Sequence, residues 1–379
     1  MKYWQKNNMN KRKIVFLCGA RDFHAMDWYR SAKNKLTSFD SVVLTDLISG
    51  EGFKKIILPN DTIYKLLIID KILFRKQNRT GDIWRNLIKL FVLPIQVLKL
   101  RRFNKKNPDA VYHAHGMYYL FLAKIAGVNY IGTPQGSEIL IRPDQSKLYR
   151  FIATIALMGA NAITVDSVNM REKIQKICDV DAKIIQNGID VESIMKLKTK
   201  SSINSVQRNK FLSIRGLTPL YRIHNIIGAR NNSEENKNVK LTFIYPFKDE
   251  EYRDKSIQFR CDDIDLGRLD RNKMYQILYN SYIVFSIPKS DSSPRSVYEA
   301  IFCGSVVAIT HNSYYDILPE CMKERIVLVN LNNPNWFDLA INDAKKVYEK
   351  NFELSDEAVS IFDQNKSFEI ISKLYYNFN

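Results

Sequence analysis

Two carboxylates in the last quarter of the sequence have a spacing that could hold a nucleotide ligand. Asp291 lies in a polar loop behind an apolar run typical of a buried strand, and Glu299 lies eight residues further on. Ser293 is a favoured N-cap and Pro294 a favoured first helical residue, so we expect a helix to begin at this pair. The sequence therefore predicts a strand, a short loop and a helix, with one acid before the helix N-terminus and one inside the helix.

The N-terminus of such a helix is suited to an anion such as a diphosphate, because its first N–H groups and its positive dipole end point outward. Glu299 falls five residues into the predicted helix, about 7.5 Å along the axis at about 1.5 Å per residue. The two acids could then bind hydroxyls on either side of a diphosphate. On spacing alone, an ordinary loop acid at Asp291 and a surface helix residue at Glu299 fit the sequence equally well.

The segment Phe285–Gly304 resembles the nucleotide-sugar site of the retaining glycosyltransferases of family 4, which have the GT-B fold. That family has an acid, seven residues and a glutamate at this corner. Asp291 and Glu299 occupy those positions, with Asp where the commoner form has Glu. A branch with Ser-Asp-x-x-Pro-x-Ser before the glutamate matches Ser290–Ser296. The resemblance assigns donor binding to Ser292, Ser293, Pro294, Arg295, Ser296 and Val297.

Further segments extend the resemblance over nearly the whole chain: Gly19–His24, His113–Gly116, Thr133–Glu138, Ile185–Asp190 and Ser213–Tyr221. By this resemblance, Arg215 is the cation that meets the donor diphosphate, and Gly19 and Arg222 also contact the donor. The acceptor and sugar side is assigned to His24, His115, Gln135 and Asn187.

Two positions depart from the family pattern. Gln135 stands where the family often has a histidine near the reacting sugar; a glutamine cannot act as a base, but it can hydrogen-bond a sugar hydroxyl. Tyr221 stands where a lysine is usual, and Arg215 is displaced by one position. The resemblance therefore supports the class of donor and leaves the chemistry at the sugar open.

The activity implied by the resemblance is a retaining hexosyl transfer from a nucleoside-diphosphate sugar to a hydroxyl of a lipid-linked or polysaccharide-precursor acceptor. Bacterial surface polysaccharide synthesis is the expected setting. Three residues would act on the reaction: Asp291 on the donor sugar, Glu299 on the ribose and Arg215 on the departing diphosphate. Because a cation and helix amides neutralise the diphosphate, we expect neither a metal ion nor another cofactor.

Strand-like and helix-like stretches alternate along the sequence, which is typical of parallel sheets covered on both faces. The predicted fold class is α/β: a GT-B arrangement of two Rossmann-like, doubly wound parallel-sheet domains facing across a cleft. We place an acceptor-side domain at 1–200, a nucleotide-sugar-binding domain at 207–352, and a helix at 353–379 that crosses back to the first domain. The polar stretch Lys196–Asn209 is the predicted linker.

The predicted strands are Lys13–Cys18, Ser41–Leu47, Lys55–Pro59, Ala110–His115, Tyr130–Pro134, Ala162–Asp166, Lys183–Gln186, Phe211–Ile214, Lys240–Tyr245, Ile257–Arg260, Tyr282–Pro288, Ser305–Thr310 and Arg325–Val329. Helices are predicted at Gln145–Met158, Val168–Ile177, Arg271–Asn280, Arg295–Phe302, Phe337–Lys350 and Ala358–Tyr376.

The formal net charge is +17, and the region 71–106 holds eleven Lys or Arg against one acid, together with large apolar residues. This mixture is typical of an interfacial helix at an anionic membrane surface, where each cation contributes about 1 kcal/mol. The alternative is a core helix with a solvated basic face; we favour membrane contact. No apolar run approaches the ~20 residues of a spanning helix. The sequence therefore predicts a cytoplasmic protein, peripheral at the inner face of the plasma membrane.

Several other classes of protein find no support in the sequence. The five scattered cysteines form no C-x-x-C pair, and neither a P-loop, nor a dinucleotide G-x-G-x-x-G after the first strand, nor a G-x-S-x-G elbow is present. His113 and His115 could share one side of a strand, but no acid-rich partner motif accompanies them, so we predict no metal site. Nucleic acid is not an expected partner. Two rivals stay open: a non-catalytic basic protein that binds membranes or nucleic acid, and a GT-B sugar-nucleotide epimerase.

Overall fold

The structure, a computed structural model, describes residues 11–19, 22–46, 57–66, 79–200 and 208–378. The described chain divides into two compact units. The first unit contains the residues up to Leu66, Arg79–Ile185 and the residues from Phe368 on; the second contains Gln186–Ser367. Within these ranges no helix is both long enough and apolar enough to cross a membrane.

The first unit is built on a parallel sheet with the strand order β3-β2-β1-β4-β5-β6-β7. Its strands are β1 (Arg12–Leu17), β2 (Phe39–Thr45), β3 (Ile63–Lys65), β4 (Val111–His115), β5 (Tyr130–Thr133), β6 (Ala162–Val165) and β7 (Lys183–Ile184). The helices between them are α1 (Phe23–Lys35), α2 (Arg79–Lys106), α3 (Met117–Ala126), α4 (Gly136–Leu140), α5 (Arg142–Gln145), α6 (Lys147–Met158) and α7 (Val168–Cys178).

The second unit has a parallel sheet with the strand order β10-β9-β8-β11-β12-β13. Its strands are β8 (Lys210–Ser213), β9 (Leu241–Ile244), β10 (Ile264–Gly267), β11 (Ser281–Ser286), β12 (Val306–Ile309) and β13 (Ile326–Leu328). The remaining helices are α8 (Val191–Lys200), α9 (Ile223–Asn232), α10 (Glu250–Ser256), α11 (Arg271–Tyr279), α12 (Arg295–Phe302), α13 (Glu320–Lys323), α14 (Trp336–Tyr348), α15 (Asp356–Phe362) and α16 (Gln364–Tyr376).

The central strands are apolar at consecutive positions because both faces of each sheet are covered. In β1, Val15 packs into the hydrophobic cluster on one face and Phe16 into the cluster on the other. In β11, Val284 and Phe285 divide in the same way between two clusters of the second unit. Side chains alternate along a strand, so a strand buried on both faces needs an unbroken apolar run. The prediction of two doubly wound parallel sheets is confirmed.

Two predicted strands are wrong. Ile257–Arg260 is not a strand, because Ile257 ends helix α10 and the strand pairs further on, at β10. The part of Lys55–Pro59 that the structure describes is also not a strand, and the nearby edge strand is β3. Both observed strands are short and lie at sheet edges, where little apolar surface is buried, so their apolar pattern is weak.

The predicted linker and the predicted C-terminal helix also differ from the observed structure. Helix α8 continues to Lys200, well into the predicted linker, and packs against α11 and α12. Residues 201–207 lie outside the described residues. The stretch Ala358–Tyr376 forms two helices, α15 and α16, that meet at Asp363. The backbone of Asp363 forms a parallel bridge with Ile189, which places a turn of the second unit at this break.

We expect Gly188→Ala to destabilise the second unit by about 2 to 3 kcal/mol. Gly188 has a φ of +66°, and a Cβ there would lie 2.5 Å from the Cα of Gln364 and 2.6 Å from its N. Backbone cannot yield as a flexible side chain does. Urea unfolding would measure the loss. Gly228→Ala in α9 is the matched control, because a Cβ at Gly228 meets nothing within 4 Å. An equal effect of the two substitutions would contradict the argument.

Candidate functional site

The loops after β8 and β11 meet at one edge of the second sheet. These strands are parallel neighbours, with Ser213 opposite Phe285, so their carboxyl ends share an edge. Arg215 lies two residues after β8, and Asp291 lies in the loop that joins β11 to α12. The sheet therefore brings together an arginine and an aspartate that are 76 residues apart in the sequence.

Arg215 is held from several sides. Its guanidinium forms an ion pair with the carboxylate of Asp291 and donates from Nη1 to the Oγ of Ser296 at 2.8 Å. The guanidinium carbon also lies 4.5 Å from the ring centroid of Tyr221, a cation–π contact. Only 9% of Arg215 is exposed. Burial alone lowers the pKa of Arg215, but the neighbouring Asp291, Tyr221 and Tyr314 outweigh it and raise that pKa, so the cation is permanent.

Helix α12 spans Arg295–Phe302, the predicted range, but its N-cap is not the predicted residue. Its first helical residue is Arg295, and Pro294 is the N-cap, with no side-chain capping bond. Ser293 does not cap the helix; its Oγ donates to the Oε1 of Gln186 at 2.6 Å. The prediction of Ser293 as N-cap is therefore wrong: the extended Pro294 (ψ 91°) is the N-cap, and the hydroxyl of Ser293 is bonded to Gln186. The ion pair of Arg215 is still fixed at the first turn of this helix, through Ser296.

Glu299 is a buried residue, with 5% of its surface exposed. The phenol of Tyr275, on helix α11, donates to its Oε1 at 3.0 Å. Burial, and then the charge of Glu299, raises the pKa of Tyr275, so the phenol stays a hydrogen-bond donor. The alternative of a surface residue at Glu299 is thus wrong. Asp291 lies in a loop, as both interpretations expected, and forms an ion pair with Arg215.

Sequence reasoning missed two residues at this corner. The side chain of Asn312 accepts the backbone N–H of Asp291 at 3.1 Å and so fixes the loop. The hydroxyl of Tyr314 is buried close to Arg215 and Asp291, and within the described structure it has no hydrogen-bond partner. An orphaned buried hydroxyl is costly unless a ligand or water satisfies it. Both residues follow β12, and only the order of strands in the sheet could have revealed them.

Arg222 uses its guanidinium on the protein backbone. It donates to the carbonyl of Ile287 at 2.7 Å, to that of Pro288 at 2.6 Å, and to the Oγ1 of Thr310 at 3.3 Å. These hydrogen bonds fix the backbone that directly follows β11. Its assignment to the donor stays a prediction. The assignment of Asn187 to the acceptor and sugar side also stays a prediction; Asn187 is half-buried and follows Gln186 in the second unit.

In the first unit, the predicted acceptor-side residues gather where β1, β4 and β5 end. Asp22 caps α1 by accepting the N–H groups of His24 and Ala25 at 3.1 and 3.2 Å. Its other oxygen accepts from the side-chain amide of Gln135 at 3.1 Å. The carbonyl of Gly19 accepts the N–H of Asp22 at 2.8 Å. His24 is exposed.

His115 is buried, and its ring lies 4.1 Å from that of His113. Burial lowers the pKa of His115, the charge of Asp22 raises it and His24 lowers it, so that the resulting pKa is about 4. The imidazole is therefore neutral near pH 7. Both ring nitrogens of His113 are bonded at 2.7 Å, one with the hydroxyl of Tyr375 and one with that of Thr133. Within the described residues, no group of three or more His, Cys, Asp or Glu could hold a metal ion.

Glu138 is a buried acid that sequence reasoning passed over. Its carboxylate accepts the N–H of Met117 at 2.8 Å and that of Gln135 at 3.0 Å. Burial raises the pKa of Glu138, although both hydrogen bonds oppose the shift. This acid ties the loop after β4 to the loop after β5 and thereby positions Gln135. The signal was present, because Gln135 and Glu138 have the spacing of a capping box.

Asp46, directly after β2, is fully buried. It accepts from the phenol of Tyr119 and, at 3.3 Å, from the amide of Gln96, and it lies 3.8 Å from the Nζ of Lys89. The partners come from α2 and α3, so the cluster fixes these helices against the sheet. Nothing in the local sequence reveals it, because the partners are far apart along the chain.

Two consecutive units, each a doubly wound parallel sheet, define the GT-B fold class, and comparison with solved structures places the whole chain in it. A sucrose-phosphate synthase from Thermosynechococcus elongatus is similar at a TM-score of 0.68 and 11% identity, over 96% of this chain and 98% of that one. A structure described as trehalose-6-phosphate from E. coli bound with UDP-2-fluoro glucose is similar at 0.65 and 12%, over 97% and 99%.

A third solved structure belongs to the other enzyme class considered above. A protein described as a UDP-N-acetylglucosamine 2-epimerase from Listeria monocytogenes is similar at a TM-score of 0.60 and 13% identity, over 98% of each chain. Neither a protein-family model nor a curated protein sequence matches the chain. At these identities the structural likeness establishes the fold alone.

Proposed function

We propose that this chain is a retaining glycosyltransferase that moves a sugar from a nucleoside-diphosphate sugar to a hydroxyl of a lipid-linked or polysaccharide-precursor acceptor. One observation carries the proposal: Arg215 is pinned by Asp291 and Ser296 at the first turn of α12, beside the buried Glu299. A permanent cation and a helix N-terminus at one sheet edge are suited to a diphosphate. A neighbour bound to UDP-2-fluoro glucose supports the class of donor.

The chemistry required is stabilisation of a leaving group. Negative charge grows on the diphosphate as the bond to the sugar breaks, and Arg215 with the first-turn amides of α12 would receive it. Preorganised charges at such a position contribute several kcal/mol. Because these groups neutralise the diphosphate, the proposed reaction needs no metal ion. Asp291 would bind hydroxyls of the donor sugar, and Glu299 the ribose.

On the first unit, Gln135 and His24 are the proposed contacts of the sugar and the acceptor. Gln135 is fixed by Asp22 and Glu138, so its amide presents hydrogen-bonding groups in one orientation. His115, neutral near pH 7, would accept or donate a hydrogen bond without adding charge. A retaining mechanism is what the family resemblance implies.

Peripheral contact with an anionic membrane is part of the proposal. Helices α2, α3 and α6 lie side by side on one face of the first sheet. Large apolar side chains are exposed on the two outer helices: Leu90, Phe91, Ile95 and Leu98 on α2, and Leu148, Phe151 and Met158 on α6. Exposed apolar surface flanked by cations is characteristic of interfacial proteins. A lipid-linked acceptor would be reached from such a surface.

The first test is a screen of nucleotide sugars for thermal stabilisation of the protein. We expect Glu299→Gln to weaken binding of the stabilising nucleotide sugar about 10- to 100-fold, because a charge-assisted hydrogen bond contributes about 1.5 to 3 kcal/mol. The glutamine keeps an oxygen for Tyr275, so the fold should persist. Glu353→Gln, at an exposed acid of the same unit, is the control. Isothermal titration of the three proteins would measure the affinities.

Two outcomes would contradict the proposal. If no nucleotide or nucleotide sugar stabilises the wild type while vesicles still bind, the protein is a non-catalytic membrane-binding module. If a UDP-sugar is converted without an acceptor, the product assay identifies an epimerase, the activity described for the Listeria neighbour.

A further inference from the structure

A cavity of about 270 Å³ lies in the first unit between the edge of the sheet and the C-terminal half of α2. It is distant in sequence from the donor corner and belongs to no site described above. Its lining is half apolar and half cationic: Leu44, Tyr64, Leu66 and Phe103, with Lys65, Lys99, Arg102 and Lys106. No acid is among the lining residues, so the cavity carries only positive charge.

The four cations are not balanced by the protein. Within the described part of the chain, Lys65, Lys99, Arg102 and Lys106 form no ion pair, and all four are exposed. Neighbouring Arg101 differs, because its guanidinium donates to the carbonyls of Ile125 and Ala126 at 2.8 and 3.2 Å. Like charges gathered around a small cavity repel each other, and an anion with more than one charge would relieve that repulsion.

The apolar half of the lining consists of two buried leucines and two aromatic rings in contact with each other. Leu44 and Leu66 line the cavity and are almost fully buried. Tyr64 and Phe103 meet edge to face, with ring centroids 5.5 Å apart. The apolar residues of this lining can contact a hydrocarbon group while the cations contact a phosphate. A phosphate without a hydrocarbon group would leave the two rings exposed to water.

The cavity continues onto the exposed apolar stripe of α2. Arg102 lies four residues after Leu98 and seven after Ile95, so these side chains share one face of the helix. Leu98 and Ile95 are 53% and 49% exposed. A phosphate bound at Arg102 would therefore have its attached chains next to the exposed apolar side chains of Leu98 and Ile95.

We propose that this cavity binds the phosphate monoester headgroup of an anionic lipid, and that it attaches the first unit to the membrane through this specific class of lipid. A monoester carries about −1.5 to −2 at pH 7, which matches four unbalanced cations better than the single charge of a diester. The inference rests on the membrane contact of the proposed function and is independent of the donor site.

The test compares phosphatidylcholine vesicles that contain phosphatidic acid with vesicles that contain phosphatidylglycerol at the same total charge. We expect the wild type to prefer the phosphatidic acid vesicles about tenfold. The double variant Lys99→Gln/Arg102→Gln should lose this preference while keeping weaker binding to both. Lys105→Gln is a single-charge control, because it removes one charge from the same end of α2 at a residue that does not line the cavity. Co-sedimentation and melting curves would be measured together.

If the protein were attracted only by the total negative charge of the vesicle, the result would differ. If the wild type shows no preference, or if Lys105→Gln removes it as fully as the double variant, the cavity is not a headgroup site. Glycerol 3-phosphate in solution should bind about tenfold more weakly than the lipid. Equal affinities would show that the cavity binds a soluble phosphate monoester, which would overturn the proposal of a lipid ligand. A wild type that binds a nucleotide sugar but shows no lipid preference would overturn this inference alone. A wild type that shows the lipid preference but binds no nucleotide sugar would overturn the proposed function alone.

Discussion

Arg215→Gln is expected to lower the turnover number of sugar transfer about 10²- to 10³-fold, while the affinity for the donor falls much less. The reason is that the charge on the diphosphate grows during bond cleavage, so the guanidinium contributes more to the transition state than to the bound donor. Single-turnover rates at saturating donor, with the nucleotide sugar found in the thermal screen, would separate the two quantities. Arg215→Lys should recover part of the rate, because it restores the charge without the bidentate geometry.

The structure also defines the controls for this result. Removing Arg215 leaves the carboxylate of Asp291 without its partner at a site where only 15% of that side chain is exposed, so stability must be measured alongside the rate. Lys289→Ala removes an exposed cation from the same loop and should leave the turnover number unchanged. Equal losses of donor affinity and turnover in Arg215→Gln would show that the arginine only binds the donor.

The strand-loop-helix segment from β11 to α12 was partly predictable because its signals are local. Asp291, Pro294 and Glu299 lie within one strand-loop-helix segment, and turn chemistry and helix length describe such a segment well. Even there the N-cap was misplaced, since Ser293 bonds to Gln186, a residue 107 positions away. A local rule cannot anticipate a competing partner that only the folded unit supplies.

The ion pair between Arg215 and Asp291 could not be predicted from the spacing of the residues. It exists because β8 and β11 are adjacent in the sheet, and the order of strands is not written in any one segment. Asp46 and Tyr314 were missed for the same reason. The two parallel sheets themselves were predictable, because strands buried on both faces show as unbroken apolar runs. The short edge strands β3 and β10, half-exposed, carry no such run.

The largest effect on stability is expected at a buried ion pair of the second unit. Arg230 and Asp263 are bonded at 2.8 and 2.9 Å through both oxygens of the carboxylate, with both side chains fully buried. Asp263 also accepts the N–H groups of Leu241 and Arg260 at 3.0 and 2.9 Å. Asp263→Asn should lower the free energy of unfolding by about 3 to 5 kcal/mol, because it leaves the guanidinium charge buried without a counter-ion. Urea unfolding near pH 7 would measure it.

The neighbouring residue supplies the control. Asp262 pairs with Arg260 at the surface, with 30% of its side chain exposed, so Asp262→Asn should cost about 1 kcal/mol or less.

Burial raises the pKa of Asp263, but the hydrogen bonds from Arg230, Arg260 and Leu241 outweigh it, and the net pKa is lowered. A lowered folded pKa means that the contribution is fully present above the unfolded value of about 3.9 and is lost as the pH falls through the folded pKa. The gap between wild type and Asp263→Asn should therefore be constant from neutral pH down to about pH 5 and shrink in stronger acid. A gap that widens on acidification would mean that the carboxylate is not stabilised by its partners.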